Sequence, residues 1–199
     1  MGLGILVLKC LRDGDVFIDI GSSSGTYALP AAIKCGESGS VIAVDPDCET
    51  VEALEYNVKL NKLINVIVLK VAMSDKDGTL MLKGYGLRGG APRIASDITR
   101  AFEGREVEVE TRSIESLVKN AEVRVPDVVK IDVEGHGKKV ILGLGNVRPK
   151  HIFMEIHPTL GEDEIEITKL LNGMGYKLVG EPVKRFNEVH VHFELNSNN

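Results

Sequence analysis

Five short apolar runs, Val16–Ile20, Val41–Val44, Val66–Val71, Val128–Ile131 and His151–Ile156, are separated by segments whose apolar residues recur at helical spacing. That alternation leaves few folds open, because neighbouring parallel strands need a long crossover that is usually a helix. Thr26–Lys34 reads as the first crossover helix, with Pro30 tolerated if the helix proper begins near Leu29. Glu49–Leu60 reads as the second, through Val51, Leu54, Val58 and Tyr56. Further helices are expected over Lys138–Leu142 and Asp163–Met174, and Ser113 is placed to cap a short one through Ile114, Leu117 and Val118. Val107 and Val109 alternate with glutamates, as in a half-exposed strand. Tyr176–Val179 and Val189–Leu195, joined by a polar segment containing Pro182, suit an antiparallel pair at one edge of the sheet. The expected class is α/β, a doubly wound sheet, mostly parallel, with that antiparallel C-terminal pair.

One strand-to-helix junction carries a binding signal. Val16–Ile20 runs into the small-residue turn Gly21-Ser22-Ser23-Ser24-Gly25, and Asp45 closes the next apolar run 20 positions after Gly25. Small side chains let a ligand approach the backbone, a helix start offers unpaired N–H groups, and a carboxylate ending the next strand can accept from ribose hydroxyls. The turn reads Gly-x-x-x-Gly and lacks the three glycines that bring backbone against a pyrophosphate, which points to a nucleoside without one.

Composition narrows the partners. With 199 residues, 43% hydrophobic and 27% charged, the chain is expected to form a single domain over 1–195, with 196–199 a frayed tail. A formal charge of −5 argues against nucleic acid as the primary partner. No apolar stretch is long enough for a bilayer, and the start Leu3–Leu8 is followed by Lys9 and Cys10 without a cleavage site, so a cytoplasmic protein is expected. Cys10, Cys35 and Cys48 are odd in number, lack C-x-x-C spacing and read as buried or incidental thiols. Lys83 to Arg105 breaks the rhythm, placing Gly84, Gly86, Gly89, Gly90 and Gly104 beside Arg88, Arg93 and Arg100, a length typical of a functional or disordered loop.

Several separate blocks resemble the S-adenosylmethionine-dependent methyltransferases of the Rossmann-like class, and within them the FkbM-type family. They are GDVFIDIGSSSGTYA at Gly14–Ala28, AVDPD at Ala43–Asp47, NVKLNKLINVIVLKVAMSDKDG at Asn57–Gly78, TRSIESL at Thr111–Leu117, VVKIDVEG at Val128–Gly135 and MEIHP at Met154–Pro158. The resemblance implies a sheet of about seven strands holding S-adenosylmethionine across the carboxyl ends of the central strands. It places Asp19, Gly21 and Gly25, with Ser23 in the same turn, along the methionine and ribose of the cofactor. Asp45, followed by Pro46, falls at the ribose hydroxyls, and Ala72 and Met73, at the end of the third strand, fall around the adenine. Asp132 and Glu134 fall where this class faces the transferred methyl. Two departures stand out. Gly137 occupies a position where relatives typically carry an acid, and the short amino end leaves the covering of the cofactor to the 83–105 loop, to a partner subunit in a homodimer, or to nothing.

Methyl transfer from a sulfonium is an in-line displacement, so holding the acceptor and excluding water are the main requirements. A hydroxyl acceptor must also lose its proton, for which Asp132, Glu134, His136, Glu155 and His157 stand at strand ends. Glu134, Asp132 and His157 are the expected catalytic set. Asp132 and Glu134 share a face if the strand continues that far; helix capping before Gly135 is their bland alternative. A metal held by Asp132, Glu134 and His157 is chemically feasible, but no metal ligand is assigned. His190 and His192 share a face of the last strand and are read as packed or solvated. The resulting expectation is O-methylation of a small-molecule or sugar-like acceptor. An NAD-dependent oxidoreductase and a nucleoside-binding module without turnover are the rivals, and RNA methylation would betray itself by steep salt dependence.

Overall fold

Strand β1 (Val16–Ile20) lies inside the main sheet with β2 (Ser40–Val44) on one side and β8 (Val128–Ile131) on the other, both parallel to it. β3 (Val66–Leu69) continues the parallel set beyond β2, and β9 (His151–Ile156) continues it beyond β8. β12 (Glu188–Leu195) then pairs antiparallel with β9, and it also pairs with β10 (Tyr176–Leu178) and β11 (Val183–Arg185). The order is β10-β12-β9-β8-β1-β2-β3, the doubly wound arrangement expected, with the antiparallel addition at one edge. This computed structural model describes residues 3–84, 93–94 and 105–196.

Side chains alternate across the strands, and that alternation splits the core in two. On one face Ile18, Ile20, Val44, Val129, Ile131, Met154 and Phe193 pack against α4 (Ile114–Lys119), α5 (Gly137–Leu142) and α6 (Glu164–Gly173). On the other, Phe17, Val41, Ala43, Val128 and Phe153 meet α1 (Leu3–Cys10), α2 (Ala28–Cys35) and α3 (Cys48–Leu60). Phe17 and Phe153 are fully buried, and truncating either to alanine would cost about 3–5 kcal/mol. The short apolar start thus folds as a helix, with Leu3 and Val7 turned onto this second core. Asp19, Lys130 and Glu155 lie on the same face as Phe17, Val128 and Phe153, which brings the polar residues of the strand tops together.

Local chemistry explains the helix limits. α2 starts one residue before the expected Leu29, and Pro30 sits in its first turn, where backbone N–H groups have no helical partner to lose. Asp47 caps α3 by accepting from the Thr50 backbone N–H at 2.9 Å, Ser113 caps α4 through Ser116 N–H at 3.1 Å, and Asp163 caps α6 through Ile165 N–H at 2.8 Å.

The third strand differs from expectation. β3 stops at Leu69 because its neighbour β2 ends at Val44, just before Asp45 and Pro46, leaving nothing to pair with further residues. Ala72 and Met73 therefore do not end the third strand; they form a separate strand, β4, in a second sheet that the sequence did not announce. There β4 pairs parallel with β7 (Arg105–Arg112), which pairs antiparallel with β5 (Gly78–Gly84), and β5 pairs with β6 (Arg93–Ile94). The half-exposed strand expected around Val107 and Val109 is β7. Of the glycine- and arginine-rich stretch, Gly86, Gly89, Gly90, Gly104, Arg88 and Arg100 lie outside the described residues. Among the described residues, no helix is long and apolar enough to cross a membrane.

Candidate active site

The turn after β1 is held by contacts that only small residues permit. Gly21 has a φ of 75°, and a Cβ on it would lie 1.9 Å from the carbonyl oxygen of Asp132, so the tops of β1 and β8 meet here. Ser23 is exposed and also left-handed, at φ 50°, a conformation that turns its N–H onto Asp45 Oδ2 at 3.1 Å. Asp47 N–H donates to the other oxygen of Asp45 at 3.0 Å. Burial raises the pKa of Asp45 and these two N–H groups oppose it. An ionised carboxylate has about four acceptor sites, so about two remain for a ligand. Pro46 is half-buried beside it, and Asn57 of α3 ties the turn from outside by donating to the Ser24 carbonyl at 2.9 Å.

Beneath the turn lies a cation that the sequence reading passed over. Lys130, in the middle of β8, places Nζ 3.4 Å from Asp19 Oδ1, 3.3 Å from Asp132 Oδ2 and 3.1 Å from the Gly21 carbonyl, and 4.6 Å above the Tyr27 ring. Its signal was legible: a lone charge inside an apolar strand is expensive unless paired. Burial alone would lower its pKa, but Asp19 and then Asp132 outweigh that and raise it. Burial pushes Asp19 up to about 6 against the pull of Lys130. Both oxygens of Asp19 and the hydroxyl of Ser22 are buried without a hydrogen bond.

Asp132 and His157 form the next layer. His157, which follows β9, sets Nε2 at 3.2 Å from Asp132 Oδ1. Burial would raise the pKa of Asp132, but the hydrogen bonds from His157 and Lys130 hold it low. Burial would likewise lower that of His157, yet Asp132 and the charge of Glu134 raise it. The strand does not continue to Glu134: β8 ends at Ile131, with one last bond from Asp132 N–H to the Ile20 carbonyl at 3.0 Å, because β1 itself ends there. Glu134 is thus half-buried in the turn before α5, and strand alternation does not align it with Asp132.

Glu162 is a further residue that the sequence did not suggest. Its buried carboxylate accepts from the backbone N–H of Gly137 at 2.8 Å and of His157 at 2.7 Å, stitching the start of α5 to the end of β9. Gly137 fits there because a Cβ would lie 2.1 Å from Met154 Cε and 2.8 Å from Glu162 Oε1. A carboxylate therefore reaches the position where a side chain is missing. Met73 is buried in the core and Ala72 nearly so; Ser74, next in chain, meets His136 Nε2 at 3.0 Å. At the sheet edge, Glu155 accepts from the Tyr27 hydroxyl at 3.1 Å and faces His190 at 3.4 Å, while His190 also meets Glu188 at 2.8 Å. Glu155 and His190 are register partners across β9 and β12, so the antiparallel edge brings into this row a histidine that had been set aside.

A cradle at the carboxyl end of β1, a carboxylate ending β2 and polar side chains topping β8 and β9 make the arrangement of the Rossmann-like methyltransferase fold, in which a ligand lies across the strand ends. S-adenosylmethionine would fit this donor set: Asp45 keeps acceptor sites that ribose hydroxyls could use, and the buried Ser22 hydroxyl has no hydrogen bond at the turn. Residues 19–178 match the methyltransferase FkbM domain, and the chain belongs to that family. It is 29% identical to the hexuronic acid methyltransferase AglP of Haloferax volcanii over 84% of this chain and 65% of that protein, so it spans just under two thirds of that relative. It is 25% identical to the 31-O-demethyl-FK506 methyltransferase FkbM of Streptomyces tacrolimicus, over 92% of this chain and 80% of that one. The fold is similar to that of a SAM dependent methyltransferase from Aquifex aeolicus, with a TM-score of 0.58 at 18% identity, covering 97% of this chain and 89% of that chain.

Proposed function

We propose that this protein transfers the methyl group of S-adenosylmethionine to a hydroxyl oxygen of a small, sugar-like acceptor. The observation that carries this reading is the adjacency of Asp45 and the Gly21–Gly25 turn to the Asp132–His157 pair, all at the carboxyl ends of neighbouring strands. Two relatives support the acceptor class by their names, one a hexuronic acid methyltransferase and the other acting on a 31-O-demethyl compound.

In this reading Asp45 holds the ribose, Gly21, Ser23, Gly25 and Pro46 shape the cradle, and the Ala72–Met73 segment borders the adenine. Asp19 acts from below, as the buried partner of Lys130, which fixes the carbonyl of Gly21 and the carboxylate of Asp132. The bound cofactor contributes an electrophilic methyl on a sulfonium. The chain has to orient the acceptor oxygen and take its proton. Asp132 is held ionised by its two partners and so orients rather than accepts. If His157 donates Nε2–H to Asp132, its basic lone pair lies on Nδ1, which makes His157 the proton acceptor and Glu134 the charge that sustains its basicity.

The test is incubation with S-adenosylmethionine and a panel of hexuronic acids, neutral sugars and hydroxylated macrocycles, followed by mass spectrometry of the acceptors and measurement of S-adenosylhomocysteine. A methyl ether on an acceptor hydroxyl is the expected product, and a methyl ester would move the transfer to a carboxylate. Cofactor binding with no methylated product across the panel would favour a nucleoside-binding module instead. Tight calorimetric binding of NAD with none of S-adenosylmethionine would restore the oxidoreductase reading. Methylation confined to RNA, with affinity falling steeply in salt, would overturn the acceptor class.

A further inference from the structure

A second cluster of chemically reactive side chains lies at the opposite end of β9 from His157, six residues and about 20 Å away along the strand. Cys10 ends α1, His151 opens β9 and His192 lies on β12; one donor atom from each falls within 4.8 Å of the others. The three come from three elements and are all half-buried. His151 Nδ1 and His192 Nε2 are 3.1 Å apart. The ring of His192 is fixed by stacking on Phe153, with centroids 4.1 Å apart and an interplanar angle of 11°.

We propose that Cys10, His151 and His192 bind a zinc ion that fastens α1 to the sheet. One thiolate and two imidazoles form a donor set suited to zinc, which takes four ligands tetrahedrally with Zn–N distances of about 2.0–2.1 Å. Those distances place two nitrogens on a tetrahedral edge of about 3.3 Å, close to the spacing seen here. The geometry is therefore set before the ion arrives: Phe153 holds one ring, the β9–β12 ladder sets the other, and only the cysteine closes from the helix. Three protein donors leave the fourth position to water. Burial lowers the basicity of both imidazoles, leaving them neutral as ligands must be, and keeps the Cys10 thiol protonated. Binding accordingly releases one proton, from sulfur. The proton shared between the two rings moves to the outer nitrogen of its own imidazole, with no further loss. A site so far from the methyl-transfer centre has a structural task. α1 is only eight residues long and packs on the sheet through apolar side chains, among them the buried Leu3 and Val7, so a bond at its last residue would pin its C-terminal end to β9 and β12.

The experiment uses the full chain purified without a histidine tag and dialysed first against a chelator, then against zinc or cobalt(II). One zinc per chain is expected by elemental analysis, and zinc should raise the melting temperature. The cobalt form should show intense tetrahedral ligand-field bands together with a sulfur-to-cobalt charge-transfer band. Cys10→Ser should abolish the charge-transfer band, and His192→Gln should weaken zinc binding at least tenfold; Cys48→Ser, at an exposed thiol, should change neither. If either site variant fails to fold, the cobalt spectrum of the unaltered chain still decides. Less than a tenth of an equivalent of zinc, a cobalt spectrum without a sulfur band, or undiminished binding in a folded Cys10→Ser variant would overturn the site. The last result would move the ion to Glu155, Glu188 and His190, whose donor atoms also come within 4.8 Å of one another.

Discussion

Asp19 and Lys130 are register partners on adjacent parallel strands, and their side chains form an ion pair at 3.4 Å that is sealed from solvent. Neither charge could be there alone. Lys130 is the shared partner of Asp19, Asp132 and the Gly21 carbonyl, so it fixes both strand tops that border the cradle. Replacing one member of a buried pair leaves the other uncompensated, typically at about 3–5 kcal/mol. Lys130→Met should therefore lose about 3 kcal/mol in urea unfolding. Asp19→Asn combined with Lys130→Met should recover most of that loss. Additive losses in the double variant would show that the two side chains do not depend on one another.

Asp45 offers the most direct test of cofactor placement. Removing charged hydrogen bonds to the ribose should cost about 1.5–3 kcal/mol of binding, read by calorimetry with S-adenosylmethionine. Asp45→Ala would also release the N–H groups of Ser23 and Asp47, so Asp45→Asn is the better variant, since it retains one acceptor oxygen for the turn. Unchanged affinity in Asp45→Asn would remove this carboxylate from the ribose site.

The Asp132–His157 pair gives stability a pH signature whose sign is fixed. The pKa of Asp132 is lowered in the folded chain, so its contribution is present above the unfolded value of about 3.9 and lost as pH falls through the folded value. The pKa of His157 is raised, so its contribution is present below about 6.5 and lost as pH rises through the folded value. Both are present together between about pH 4 and 6.5. The stability gap between the unaltered chain and His157→Gln should therefore be widest in that window and narrow on either side. The methylation rate should behave oppositely, rising as His157 deprotonates, and His157→Gln should flatten that rise. A gap independent of pH would mean that the imidazole carries no charge toward Asp132.

The strand tops were legible because polar residues interrupt apolar runs only where something must be bound or turned. Val16–Ile20, Val128–Ile131 and His151–Ile156 are strands with those same limits. What could not be read was pairing. β4, β5 and β7 form a second sheet through contacts distant in sequence, and β4 has only two residues, too few to show a period. Glu155 and His190 meet through the register of an antiparallel pair, which no spacing within either strand reveals. Glu162 was hidden for a related reason, since it acts on the backbone of Gly137 and His157 and leaves no pattern in their side chains. Lys130 was readable and overlooked.

Gly21 and Gly161 separate two costs usually confounded at a glycine. Both are left-handed, at φ 75° and φ 86°, but a Cβ at Gly161 meets nothing within 4 Å, whereas one at Gly21 would lie 1.9 Å from the Asp132 carbonyl oxygen. Gly161→Ala should cost only the backbone term, about 1–2 kcal/mol. Gly21→Ala must also push β1 and β8 apart at their tops, where the obstacle is backbone and cannot swing aside as a side chain would. It should lose at least about 1 kcal/mol more in unfolding, on the scale of a strained backbone contact. The same displacement should weaken S-adenosylmethionine binding, because the peptide that moves is the one whose carbonyl Lys130 holds, while Gly161→Ala leaves affinity unchanged. Equal losses of stability in the two variants, with equal affinities, would show that the strand tops are not packed against each other and that the cradle does not depend on their contact.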